Sequence, residues 1–144
     1  MSLPAGADDE VFQRAFDDLI VDRVRAFAPS VTVAVVGADT HRTDQLSHLQ
    51  LTNNGMAHAM EHIRGFSPHL LMLGGGGYNP EATVRAWARM WAAANRIDAL
   101  PDYLTMLGGV FLGEQDLGGG DVVDMAWRVS GTEKQAMLAE VQRQ

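Results

Sequence analysis

Apolar residues recur along this chain in two rhythms. From Phe12 through Phe16, Leu19, Ile20 and Val24 to Phe27 they fall mostly three or four positions apart, the spacing that gathers side chains on one face of an α-helix. Asp8 or Asp9 offers a cap before them and Pro29 a stop after them, which predicts a helix to about Ala28. Val31-Thr32-Val33-Ala34-Val35-Val36 is then a short, β-branched apolar run, the signature of a buried parallel strand. Gly37-Ala38-Asp39 closes it, and Thr40 to Leu51 reads as a polar loop. Thr52 or Asn53 caps a second helix to about Arg64, ended by Gly65 and Pro68. His69-Leu70-Leu71-Met72-Leu73 is a second strand. Asn79 at the cap, Pro80 at the first helical position and Glu81 at the positive helix end start a third helix to about Asn95. Its face of Val84, Trp87, Ala88, Trp91 and Ala94 is expected in the core. Ser130-Gly131-Thr132-Glu133 has the pattern of a capping box opening a final helix with Met137, Leu138 and Val141.

Helices alternating with strands at this spacing predict an α/β fold, a parallel sheet with helices on both faces. Residues 8–95 form the βαβ-type core, and residues 96–144 form a loop-rich tail punctuated by Gly108-Gly109 and Gly118-Gly119-Gly120 before the last helix. The early helix, where most α/β domains begin with a strand, is expected of a piece of a longer domain. Ligands of such sheets sit at the carboxyl ends of the strands. Asp39 follows the first strand and Leu73-Gly74-Gly75-Gly76-Gly77-Tyr78-Asn79 follows the second, so neighbouring strands would bring both to one cleft.

Composition narrows the choices. A net charge of −7, with 11 basic residues, disfavours nucleic acid as a partner. No apolar run is long enough to span a membrane, no secretory leader pattern opens the chain, and the absence of cysteine removes disulfides and thiolate metal sites. A cytoplasmic protein is expected.

Three constellations carry possible chemistry. The glycine turn could hold an anion at a helix start, yet it lacks the third glycine of a dinucleotide fingerprint and any Walker lysine. Glycines could instead line a slot in which Tyr78 donates a hydrogen bond. His58-Ala59-Met60-Glu61-His62 matches H-x-x-E-H, a metallopeptidase pattern. With Met56, Ala59, Met60, Ile63 and Phe66 on the core face, however, these groups point to solvent. Asp39-Thr40-His41 could give two metal ligands, with Asp44, His48 and His69 as further candidates; Asp44 could equally fix its loop through local hydrogen bonds.

Several of these stretches together resemble the histone deacetylase superfamily. They are Leu3-Pro4-Ala5-Gly6 leading to Asp9, Gly37-Ala38-Asp39-Thr40 with Asp44 and Leu46, Leu49-x-Leu51-Thr52, the glycine-tyrosine turn 35 residues after Asp39, and Arg85-Ala86-Trp87. The nearest branch looks like the bacterial acetoin-utilisation-type deacetylases. The resemblance implies the arginase/deacetylase fold and a zinc-dependent amide hydrolysis, in which zinc polarises an acetamide carbonyl and activates water. It implies Asp39 as one of three zinc ligands, Tyr78 as the donor to the developing oxyanion, and Leu46, Gly76 and Gly77 as walls of a tunnel for acetyl-lysine or another acylamine.

This sequence also departs from the family. It has no His-His pair, the Asp-x-His pair that completes the zinc site is not matched, and Gln45 and Gln50 stand where proline and asparagine are usual. The chain then reads as the carboxyl-terminal portion of one deacetylase domain, inactive and weak in zinc binding by itself, and a homo-oligomer or strand-exchanged dimer because a sheet edge is left open. A non-catalytic folding or interaction module is the alternative, and the H-x-x-E-H metallopeptidase comes third.

Overall fold

Residues 1–97 and 122–144 are described by a computed structural model of the chain. The readings placed on Gly108-Gly109 and on Gly118 to Gly120 lie outside those residues.

Asp8 caps α1 (Asp9–Phe16) by accepting the Val11 N–H at 3.1 Å. The helix continues through a π-helical turn, Asp17–Val21, into α2 (Asp22–Phe27) and stops at Ala28 in the left-handed region, φ 50°. The single helix expected there is thus one path with a widened turn in it. β1 (Val31–Val36) and β2 (His69–Gly74) pair in parallel, Val31 opposite His69 and Val36 opposite Gly74. Between them lies α3 (Asn53–Ile63), capped by the Thr52 hydroxyl on the Asn54 N–H. α4 (Pro80–Ala94) follows β2, with the Asn79 side chain accepting from the Ala82 N–H. The last helix is α5 (Gly131–Gln142). At its start Ser130 donates to the Glu133 carboxylate at 2.8 Å and makes no bond to a backbone N–H. The expected reciprocal capping box is therefore replaced by a contact between its two side chains.

The main core lies between the sheet and two helices. Met56, Ala57 and Met60 of α3 and Ala86, Met90 and Ala93 of α4 pack on Ala34, with Val36, Leu70 and Met72 beside it. Strand side chains alternate between faces; the other face carries Val31, Val33, Val35, Leu71 and Leu73, all exposed, with Val35 at 68%. The described residues thus show a parallel sheet flanked by helices, with α3 and α4 on one side of it.

One expectation is corrected here. Val84, Trp87 and Trp91 of α4 are exposed, and the helix buries Ala82, Ala86, Met90, Ala92 and Ala93 instead. Small residues let α4 approach α3 and the sheet closely, and α3 answers with Ala57. The bulky face is left outside.

A second cluster joins the two ends of the described chain. Ala7, Val11 and Ala15 pack with Val141, and Leu138 and Met137 adjoin them. Buried Lys134 of α5 reaches Asp8 at 3.1 Å and Glu10 at 2.7 Å. Asp8 also accepts the Val129 N–H at 2.9 Å. Burial alone would raise the Asp8 pKa, but these donors hold it below its ordinary value.

Candidate active site

The two turns at the carboxyl ends of β1 and β2 are locked together. The Ala38 N–H donates to the Gly76 carbonyl at 2.6 Å. A Cβ on Gly75 would lie 2.7 Å from the Gly37 nitrogen, and one on Gly76 would run into the Asp39 carboxylate. Gly77 has φ +151°, and a Cβ there would meet the Thr83 hydroxyl at 2.5 Å. Three of the four glycines therefore have a local reason: the turn after β2 lies directly on the turn after β1 and on α4. Gly74 is different, since a Cβ there would make only an ordinary 3.6 Å contact with Trp87.

Asp44 holds this junction from the loop. Its Oδ2 accepts the Tyr78 N–H at 2.7 Å and its Oδ1 accepts the Leu46 N–H at 2.9 Å. Burial pushes the Asp44 pKa up, but the N–H groups of Tyr78, Leu46 and Asn79 and the nearby His41 outweigh it, leaving the carboxyl below its usual range. Asn79 adds bonds from its amide to the Thr43 carbonyl and hydroxyl. The loop-fixing role open to Asp44 in the sequence is thus what the structure shows.

His41 is withdrawn from the metal-ligand candidates. It is 3% exposed. Its Nε2 donates to Asp124 at 2.8 Å, and its Nδ1 accepts the Thr43 N–H at 3.3 Å. Asp124 also accepts the Asn53 N–H at 2.9 Å and pairs with Arg85 at 2.5 Å, while its own N–H donates to the Asn53 side chain at 3.0 Å. Burial raises the Asp124 pKa, but His41, Asn53 and Arg85 more than reverse it. Sequence reasoning missed this network. Its members are separated by up to 83 residues, and no local spacing marks a pair so far apart.

The five candidate site residues are distributed as follows. Asp39 is half-buried beside Gly37 and Gly76. It lines, with Thr40, a cavity of about 490 Å³ whose other walls are apolar, among them Phe12, Phe16, Leu51 and Met60. Leu46, Gly76, Gly77 and Tyr78 do not line that cavity. Gly76 and Gly77 lie in the junction itself. Leu46 and Tyr78 hang from the two oxygens of Asp44 by their backbones, with Leu46 67% and Tyr78 54% exposed. The Ala38–Gly76 backbone bond and the two N–H bonds to the Asp44 carboxylate thus tie the segments bearing all five into one platform.

Asp39 is a single possible ligand. Among the described residues no His, Asp or Glu joins it in a group of three with metal-binding spacing. These residues do not by themselves make the zinc site that the resemblance implies.

His58 and His62 do not point to open solvent, as the helical wheel predicts. Both meet Asp17 of the π-helical turn, because α1 and that turn run along this flank of α3. Glu61 is exposed and takes no part. His48 and His69 are exposed.

A parallel sheet with its polar groups gathered at the carboxyl ends of the strands is the arrangement of a ligand-binding α/β fold. The histone deacetylase domain family matches residues 1–94, and the chain belongs to that family. Human histone deacetylase 1 is 35% identical over 89 residues, which are 62% of this chain and 18% of that protein. Rice histone deacetylase 2 is 36% identical over 89 residues, 62% of this chain and 17% of the relative. A histone deacetylase homologue solved as a complex with SAHA superposes with a TM-score of 0.69 at 25% identity, over 97% of this chain and 41% of the other. The homologue from Aquifex aeolicus gives 0.68 at 24%, over the same shares. These neighbours bear out the arginase/deacetylase fold. The chain spans less than a fifth of the curated relatives it matches.

Proposed function

We propose that this chain is the part of a zinc-dependent deacetylase domain that supplies Asp39 and Tyr78, with catalysis requiring ligands carried elsewhere in the enzyme. The reaction is hydrolysis of an acetylated lysine or another acylamine, releasing acetate. Asp39 contributes one carboxylate to a metal site completed by other sequence. The Tyr78 phenol donates a hydrogen bond to the oxygen that gains charge as the acetamide carbonyl is attacked. Leu46, Gly76 and Gly77 flank the acylamine stem. The observation that carries this reading is the Asp44 clamp, 2.7 Å to the Tyr78 N–H and 2.9 Å to the Leu46 N–H. It fixes the backbone that bears a candidate donor and a candidate wall residue on the same junction that holds Asp39. An oxyanion donor is effective when its position is set before the reaction begins.

The acetoin-utilisation-type branch is the assignment we favour, with acetyl-lysine or another acylamine as substrate and zinc as the metal. The 144-residue chain alone turns over no acylamine and self-associates through its sheet. The deciding experiment uses a longer natural protein containing these residues, assayed on a panel of acetylated amines. Tyr78→Phe should lower kcat about 10²–10³-fold with KM little changed, and unchanged turnover would remove Tyr78 from the mechanism. One observation favours a second reading, a non-catalytic module: Asp39 has no ligand partner among the described residues. A longer protein that carries no further ligands and shows no activity on any acylamine would establish it.

A further inference from the structure

Two histidines one helical turn apart and a carboxylate from the neighbouring helical path converge on the flank of α3. The His58 Nε2 lies 3.0 Å from Asp17 Oδ1 and 3.2 Å from Oδ2, and the His62 Nε2 lies 3.3 Å from Oδ1. The two imidazoles meet edge to face with centroids 4.9 Å apart. One ligand atom from each of the three residues fits within a mutual distance of 4.8 Å.

We propose that Asp17, His58 and His62 form a binding site for a divalent transition metal such as zinc, separate from Asp39 and independent of the deacetylase reading.

Four observations carry it. First, the distances suit the ion. Two ligands on a tetrahedral zinc, each bonded at about 2.0–2.1 Å, are themselves about 3.3 Å apart; the two His–Asp separations of 3.0 and 3.3 Å already match that edge. Second, the ligand set is selective in kind. Two imidazoles and a carboxylate suit zinc, copper, nickel or cobalt, whereas calcium and magnesium ask for oxygen ligands. Third, access is open on one side and backed on the other. All three side chains are part exposed, at 27% for each histidine and 41% for Asp17, which leaves room for water to complete the coordination. The His62 ring is backed by Phe16, 6.2 Å between centroids. Fourth, Asp17 opens the π-helical turn. Such turns are rare and occur frequently at functional sites, and this one places a carboxylate opposite the pair at i and i+4 on α3.

Without metal, imidazole N–H groups share the Asp17 carboxylate. On binding, each imidazole turns its Nε2 lone pair to the ion as the neutral tautomer with its proton on Nδ1, and the ion staples the π-helical turn to α3. No bond in the protein is made or broken beyond those coordinations.

The test is a titration of the 144-residue chain with Co²⁺, whose visible absorption reports tetrahedral coordination, followed by competition with Zn²⁺. One equivalent is expected. His58→Ala, His62→Ala and Asp17→Asn should each weaken binding by at least ~10-fold, the size of effect seen even for residues that only support a metal ligand. His48→Ala and His69→Ala, at exposed histidines, should leave it unchanged, and so should Asp39→Asn. Thermal unfolding with and without Zn²⁺ gives a second readout: the wild-type midpoint should rise and the His62→Ala midpoint should not. Absence of saturable binding, binding that survives His62→Ala, or binding that disappears with Asp39→Asn would each overturn the proposal. The last outcome would move the metal to Asp39 and leave the deacetylase reading standing.

Discussion

The junction at the strand ends and the free face of the sheet are built from opposite materials. At the junction the contacts are polar and close: Asp44 on two N–H groups, His41 on Asp124, Asp124 on Asn53 and Arg85, and Ala38 on the Gly76 carbonyl, with the Arg85 Nε left unpaired among the described residues. On the free face Val31, Val33, Val35, Leu71 and Leu73 touch water. Buried polar groups that are paired favour one geometry, whereas an apolar surface asks only to be covered. Among the described residues the backbone bearing the candidate chemistry is tied down by hydrogen bonds, while the apolar face is left exposed.

The sharpest way to break this contrast is at Asp124. Removing its carboxylate leaves the largely buried Arg85 without a counter-charge, frees His41, and removes the bond to the Asn53 N–H at the start of α3. Truncating one partner of a buried pair costs about 3–5 kcal/mol. Asp124→Ala is therefore expected to destabilise by that amount in chemical denaturation. A loss under about 1 kcal/mol, the scale of an exposed pair, would show that the junction is not held from this side.

Next in size are the glycines. Gly75→Ala places a methyl 2.7 Å from the Gly37 backbone nitrogen, so main chain must move, and overpacking of that kind costs about 1–3 kcal/mol. Gly76→Ala meets the Asp39 carboxylate, a side-chain tip that can turn away. Gly76→Ala should thus cost less stability than Gly75→Ala while moving Asp39, visible as a shift of its carboxyl NMR resonance. The reverse order of stabilities would show that the two turns do not rest on one another as described.

A smaller effect comes from pH. Asp8, Asp44 and Asp124 titrate below their ordinary range in the folded chain. Their contribution is fully present above the unfolded value of about 3.9 and is lost as pH falls through the folded values. Asp9 runs the other way. Burial raises its pKa despite the Thr52 hydrogen bonds, so its contribution favours the folded state in acid and is lost as pH rises through the folded value. Three groups against one predict a net loss of stability below about pH 4. Asp124→Asn should flatten that slope, and an unchanged slope would mean the network does not report through Asp124.

How much of this was legible in the letters follows the range of each interaction. The helix caps at Asp8, Thr52 and Asn79 and both strands were readable, because a cap or an alternation is written within a few residues. The placement of Asp39 and Tyr78 at adjacent strand ends followed from parallel topology. The π-helical turn was not readable, since Phe16, Leu19 and Ile20 suit an uninterrupted helix equally well. Nor was the meeting of His58 and His62 with Asp17, which depends on how α1 lies along α3. The misplaced tryptophans show the limit of amphipathic reasoning. α4 has one face of large apolar residues and one of alanines, and packing selected the small face because it allows closer approach.

That last point bears on the smallest expected effect and on what covers the sheet. Val33 is 55% exposed in the middle of β1, on the face opposite Ala34. Among the described residues this face is exposed, and association between copies would remove it from water. Val33→Lys should then change the stability of the monomer by no more than about 0.5 kcal/mol, as a surface substitution does. It should nonetheless shift the mass measured by light scattering toward that of a single chain. The same lysine at Met72, on the covered face beside Ala34, should unfold the protein. If Val33→Lys is as damaging as Met72→Lys, the face is already covered within one chain. If the wild-type chain is a clean monomer at high concentration, self-association through the sheet is excluded. If only the mass responds, the two faces differ as their exposures say.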